Sequence, residues 1–181
     1  ELLLHSNFVQ AHVESYIGLT EAALGICPAW GGCKELLSRF ENNKNIPNGP
    51  MPAIMKAFQT IGLAKTSTSA PEACEIGFLR SEDGITMNKD RLLHDAKLAA
   101  INLIENYVKP EKLSYRLPGR TAFAALELGL KGMIDNGQIS EHDKFIGQQI
   151  AVILSGGETD ILNEVDEDHI LKLESNSIQT L

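Results

Sequence analysis

Tyr16-Ile17-Gly18-Leu19-Thr20-Glu21-Ala22-Ala23-Leu24-Gly25-Ile26-Cys27-Pro28-Ala29-Trp30-Gly31-Gly32 is the stretch on which the reading of the fold turns. Residues 15–19 are β-prone, with Gly18 where the backbone must turn or be closely approached. Thr20-Glu21 follows as a helix start or a tight turn. Gly25, Pro28, Gly31 and Gly32 then interrupt any periodicity before a helix-patterned run over residues 34–40, so this part reads as a loop that opens a helix.

Working outward from it, residues 1–6 are apolar and short, suited to the end of a helix begun upstream, and residues 8–13 cluster apolar side chains as a buried strand does. The chain opens on Glu rather than Met, directly inside an apolar run; a fragment or processed product with upstream sequence missing is the expectation. Downstream, residues 41–50 are polar and turn-rich, an exposed insertion. Residues 53–61 place Ile54, Ala57, Phe58 and Ile61 on one helical face. Ser69 with Glu72 three residues on is a capping-box pattern, for a helix that stops near Gly77. Asn88-Lys89-Asp90-Arg91 leads a long amphipathic helix to about Tyr107, whose apolar side includes Leu92, Leu93, Ala96, Ala100, Leu103 and Ile104. Beyond Pro118-Gly119 the pattern predicts helices only, over about 121–135, 140–154 and 167–178.

Composition limits the function classes. The 181 residues suit one ordinary domain with its own core, and 43% apolar with 22% charged residues is a globular composition. The net charge of -8 comes with no run of Lys and Arg able to track a phosphate backbone, so nucleic acid is not an expected partner. No apolar stretch approaches the roughly 20 residues of a membrane span, and the first residues lack the basic start of a signal peptide. A soluble, cytoplasmic protein is expected. Cys27, Cys33 and Cys74 form no CxxC pair or metal-spaced Cys/His set and read as buried free thiols.

The quoted stretch resembles the crotonase (enoyl-CoA hydratase/isomerase) superfamily, whose members carry Gly-x-x-Glu-x-x-x-Gly-hydrophobic-hydrophobic-Pro-x-x-Gly-Gly. Hydratases of that family place a first catalytic Glu twenty residues before the second, the spacing from Glu1 to Glu21 here. Residues 67–79 are similar to the family's helix before a short strand, and Arg91-Leu92-Leu93 onward to its next helix. The long bacterial 3-hydroxyacyl-CoA dehydrogenases share more: His5-Ser6-Asn7, Glu14-Ser15-Tyr16, Asp83-Gly84-Ile85-Thr86-Met87-Asn88, Gly156-Gly157-x-x-Asp160 and a helical tail. The resemblance implies an α/β fold: the C-terminal portion of a crotonase-type ββα spiral over residues 1–108, followed by an all-helical section over 109–181.

It also implies chemistry. Adding water across an α,β-double bond needs a base for the water that attacks Cβ and an acid for Cα. An apolar pocket can hold one of two carboxyls protonated while the other stays ionised. By the resemblance, Glu1 holds and activates the water and Glu21 exchanges the proton at Cα, the two on the same side of one cleft, with Gly18, Pro28, Trp30 and Gly31 around the acyl-CoA substrate. The family's oxyanion donors and most CoA contacts lie upstream of residue 1. The chain by itself is therefore expected to be inactive as a hydratase, to bind no cofactor of its own, and either to self-associate over apolar surface near Phe8, Val9 and Ile17 or to repack its helical tail over the gap. NAD would belong to an upstream dehydrogenase part.

Other readings stay open beside these. Glu21 next to a Gly-rich loop also suits an ordinary helix N-terminus, and Glu1 a frayed terminus. Gly31-Gly32 could cradle a phosphate, yet lacks the Lys-Ser/Thr of a P-loop and the spacing of a dinucleotide turn. Trp30 and Cys33 depart from the family's more usual small residue and Thr, and either narrow the pocket or pack. His5 and His12 read as structural, and the acidic run Glu164-Val165-Asp166-Glu167-Asp168 as helix N-terminal charge, so no metal is assigned. An isomerase or acyl-CoA hydrolase of the same fold, or an assembly role within a fused dehydrogenase, are the rival functions.

Overall fold

The computed structural model describes residues 1–105 and 107–180. In chain order they form β1 (Gln10–His12), α1 (Gly32–Glu41), α2 (Pro50–Gly62), α3 (Ala70–Glu75), β2 (Gly84–Thr86), α4 (Leu92–Ile104), β3 (Ser114–Tyr115), α5 (Arg120–Asp135), α6 (Glu141–Ser155), β4 (Val165–Asp166) and α7 (Glu167–Gln179). Helices predominate, with two small two-stranded sheets, so the chain is mixed α/β. It folds as two compact units, Glu1–Gly18 with Thr66–Glu111 and Leu19–Lys65 with Lys112–Leu181.

The first unit is organised by β1 and β2, a parallel pair with Ala11 opposite Ile85. Asp83 fixes its entry: one carboxylate oxygen accepts from Val9 N (2.9 Å) and the other from Arg80 N (2.7 Å). Thr86 accepts from Gln10 Nε2 and donates to Asp95 of α4, which anchors that helix on β1. Residues 15–18 pair with Thr66 and Ser67: Ser67 N donates to Ile17 O, Ile17 N to Ser67 Oγ, and Gly18 bridges Thr66. The β-prone stretch thus makes an isolated bridge, with no strand of its own, to residues nearly fifty positions on. His12 accepts from Glu14 N at Nδ1, so its Nε2 carries the proton and reaches Met87 O at 3.2 Å; this histidine is structural.

Three expectations in this unit differ from the structure. Residues 2–5 form turns, with Leu4 N on Glu1 O and Ser6 N on Leu3 O, rather than a regular helix. Ser69 caps α3 by accepting from Glu72 N (3.3 Å), but the Glu72 carboxylate takes both donors of Thr68, N and Oγ1, so the box closes one residue early. In α4 only Leu92 and Ala96 of the expected apolar side are half-buried, while Leu93, Ala100, Leu103 and Ile104 stand exposed. The helix is apolar most of the way round, and a two-stranded sheet covers one stripe of it. Phe8, Val9 and Ile17 are half-buried.

The second unit is a helical core. α6 packs on α5, α2, α1 and α7, and its Ile146, Ile150, Ile153 and Leu154 are buried with Leu36, Leu37 and Phe40 of α1, Ile54 and Ile61 of α2, Leu126 and Leu130 of α5, and Ile170 of α7. Ends are set locally. Pro50 opens α2, where its missing N–H is not needed. Ser140 and Asp143 close a full capping box on α6, which ends at left-handed Gly156. β3 and β4 pair antiparallel, with Tyr115 opposite Val165, and Asp166 then caps α7 by accepting from His169 N (2.9 Å). The sequence reading expected helices only beyond residue 119; a two-residue strand is too short to show alternation.

Gly119 joins this small sheet to α5. Its φ is +55°, and a Cβ there would sit 1.7 Å from the Thr159 carbonyl oxygen. Backbone cannot swing aside as a side chain can, so Gly119→Ala combines left-handed strain with a clash. A loss of about 2–4 kcal/mol is expected in denaturant unfolding, and a loss under about 1 kcal/mol would contradict this packing.

Candidate functional site

The motif residues lie as follows. Glu1 is half-buried in the first unit, and its carbonyl accepts from Leu4 N. Gly18 ends the first unit, paired with Thr66. Glu21, Pro28, Trp30 and Gly31 belong to the second unit. The twenty-residue spacing of the two glutamates therefore crosses from one unit to the other at Gly18–Leu19.

Glu21 opens a single 3-10 turn, Glu21–Leu24, where a helix start or a tight turn was expected. The turn closes at Gly25 in the left-handed region (φ +75°): Gly25 N donates to Ala22 O and Ile26 N to Glu21 O, both at 3.1 Å. It rests on α2 and α6. Glu21 Oε2 is buried and meets no hydrogen-bond donor among the described residues. A buried carboxyl oxygen without a donor costs free energy that a structural glutamate would recover by pairing.

After the turn, Cys27 and Pro28 are buried. The Cys27 thiol lies 3.9 Å from Ile146 O, and burial, with the charge of Glu174, pushes it up to about 11. It is a packing thiol, not a nucleophile. Trp30 is 82% exposed, so it does not pack into the core, whereas Cys33 is fully buried.

Gly31, left-handed at φ +85°, turns the chain into α1. The N–H groups that could have met a phosphate are already taken: Gly31 N donates to Glu174 Oε2 (2.7 Å) and Lys34 N to Glu174 Oε1 (3.1 Å). Glu174, on α7, is completely buried. An anionic side chain thus caps the positive end of α1 from another helix. Lys34, also buried, donates to Glu35 and Glu167. Burial alone would pull its ammonium down, but the two carboxylates outweigh this and hold it above the ordinary lysine range.

Two residues escaped the sequence reading. Glu174 had a signal: with Ile170 and Ser177 it lies on the buried stripe of α7, a carboxylate where an apolar residue would be ordinary. His142, on the first turn of α6, reaches Gly25 O with Nε2 at 2.9 Å, and nothing in its spacing announced that. An open cleft of about 260 Å³ in the second unit is lined by Phe40, Glu41, Ile46, Pro47, Asn48, Gly49, Pro50 and Arg116 and contains none of the predicted site residues. Among the described residues no group of three His, Cys, Asp or Glu side chains could hold a metal ion. No described helix is long and apolar enough to cross a membrane.

No family model matches the chain. Over its whole length it is similar to a Bacillus subtilis (strain 168) protein described as a probable 3-hydroxyacyl-CoA dehydrogenase, 40% identical across 182 residues that cover 100% of this chain and 23% of that protein. A Rickettsia prowazekii (strain Madrid E) protein, provisionally assigned as a fatty acid oxidation complex trifunctional enzyme, is 31% identical over 96 residues, 53% of this chain and 12% of that protein. A Rickettsia felis protein with the same provisional assignment is 27% identical over 115 residues, 63% of this chain and 15% of that protein. The chain spans less than a quarter of the length of these relatives. It is related to proteins named for fatty acid oxidation.

Proposed function

We propose that this chain acts in the β-oxidation of fatty acyl-CoA, as a hydratase-like part that converts 2-enoyl-CoA to 3-hydroxyacyl-CoA in the cytoplasm. In this reading residues 1–108 are the C-terminal portion of a crotonase-type spiral and 109–181 its helical section. Glu1 holds the water that adds to Cβ, and Glu21 delivers the proton to Cα. Gly18, Pro28, Trp30 and Gly31 shape the path of the acyl group. The observation that carries the proposal is the buried, donor-free oxygen of Glu21 within the Tyr16-to-Gly32 motif; the similarity to the B. subtilis protein supports the metabolic setting. NAD serves the dehydrogenation step and not these residues, because the Gly31-Gly32 turn lacks a dinucleotide fingerprint and gives its Gly31 N–H to Glu174.

A second reading, that the chain is an assembly module of an NAD-dependent 3-hydroxyacyl-CoA dehydrogenase, is favoured by the name of that relative. The exposed apolar side of α4 suits such a role, through a neighbouring surface or self-association. Crotonyl-CoA assayed with the natural protein carrying this chain separates the two. Hydration without NAD, with NADH appearing only once NAD is added, is expected. NAD-linked oxidation of 3-hydroxybutyryl-CoA with no hydration would overturn the hydratase reading in favour of the assembly one.

A further inference from the structure

Gly25 C=O and Ile26 N–H belong to one peptide unit, and that unit is held at both ends. The oxygen accepts from His142 Nε2 at 2.9 Å, and the N–H donates to Glu21 O at 3.1 Å. His142 comes from α6, whose first turn is itself fixed by the Ser140–Asp143 capping box. The fit around Gly25 is close: a Cβ there would lie 2.8 Å from His142 Nε2.

We propose that His142 is a positioning residue for Glu21, clamping the Gly25–Ile26 peptide so that the 3-10 turn presents the Glu21 carboxyl in one orientation. This rests on the reading of Glu21 as a proton carrier. A peptide plane hydrogen-bonded on one side only can rotate; bonded on both, it polarises each bond through the other and fixes its own plane. Ile26 N–H is the bond that closes the turn on Glu21, so freeing the Gly25 oxygen frees the backbone that carries the carboxyl. A misplacement of about 1 Å at a reacting group can cost about a hundred-fold in rate. His142 is exposed and touches no reacting atom, so its removal leaves the core intact.

The test uses His142→Ala and His142→Gln in the natural protein carrying this chain, with Glu21→Gln alongside. In His142→Ala, hydrogen exchange at Ile26 N–H should quicken by about ten-fold or more, as local opening becomes easier. The kcat for crotonyl-CoA hydration should fall by about a hundred-fold with KM nearly unchanged. Gln places an amide N–H where Nε2 stood, so His142→Gln should restore both readouts. Unchanged exchange at Ile26 overturns the clamp. Faster exchange with unchanged kcat, while Glu21→Gln abolishes hydration, overturns the positioning role, as does a parallel loss of kcat, KM and Tm that Gln fails to restore. Should Glu21→Gln itself leave hydration intact, the acid–base reading fails instead, and exchange at Ile26 still decides the clamp.

Discussion

Glu21→Gln is expected to lower enoyl-CoA hydration by two to four orders of magnitude while leaving the folded state as stable as before or more so. General acid–base transfer by a positioned side chain is worth about 10²–10⁴ in rate, and Gln keeps the shape of Glu while removing the proton it carries. The stability half of the expectation comes from Glu21 Oε2, which is buried without a donor among the described residues. An uncharged amide is less costly at such a place than a carboxylate, although its own donors then need partners. Tm and activity should therefore move independently, as they do where a site is kept at the expense of stability. Any NAD-linked oxidation measured on the same sample should be untouched. A hydration rate within about ten-fold of the parent would remove Glu21 from the proton path; a matching fall in Tm would make it an ordinary structural glutamate.

Legibility from sequence followed how local the determining interaction is. α6 could be read almost to the residue, because Ser140 with Asp143 at one end and Gly156 at the other carry their signals within a turn. The turn at Glu21 was legible for the same reason, since Gly25 four residues on supplies the left-handed stop. α4 was legible as a helix but not in its burial: apolar residues on several sides do not say which stripe meets a neighbour, and β1 covers one. β3 and β4 were missed because their pairing joins Tyr115 to Val165, fifty residues apart, through strands of two residues each. At the site, the motif marked Glu21 and Gly31, while the partners that fix their surroundings, His142 and Glu174, come from α6 and α7, which no spacing within residues 16–32 could reveal.

Glu174 gives the largest stability effect to be expected. Its two carboxylate oxygens satisfy Gly31 N and Lys34 N at the start of α1, inside the core and away from water. Glu174→Ala would leave both N–H groups without this acceptor and the positive end of α1 without its counter-charge, and would open a cavity where the side chain lay. Removing one member of a buried charged arrangement costs about 3–5 kcal/mol, which for a chain of this size lowers Tm by roughly 10 °C. Glu174→Gln separates the contributions: its carbonyl can serve one N–H, but its NH₂ faces the other donor to donor, so a loss of about 1–3 kcal/mol is expected. A second readout follows from Cys27, whose thiol is held up first by burial and then by the Glu174 charge. Without that charge the pH at which Cys27 begins to react with a small alkylating reagent should fall, yet stay above that of an exposed thiol, since burial is the larger cause. A Tm for Glu174→Ala within about 1 °C of the parent would mean that water or another group replaces the carboxylate at little cost, and the buried cap would not be what joins α7 to α1.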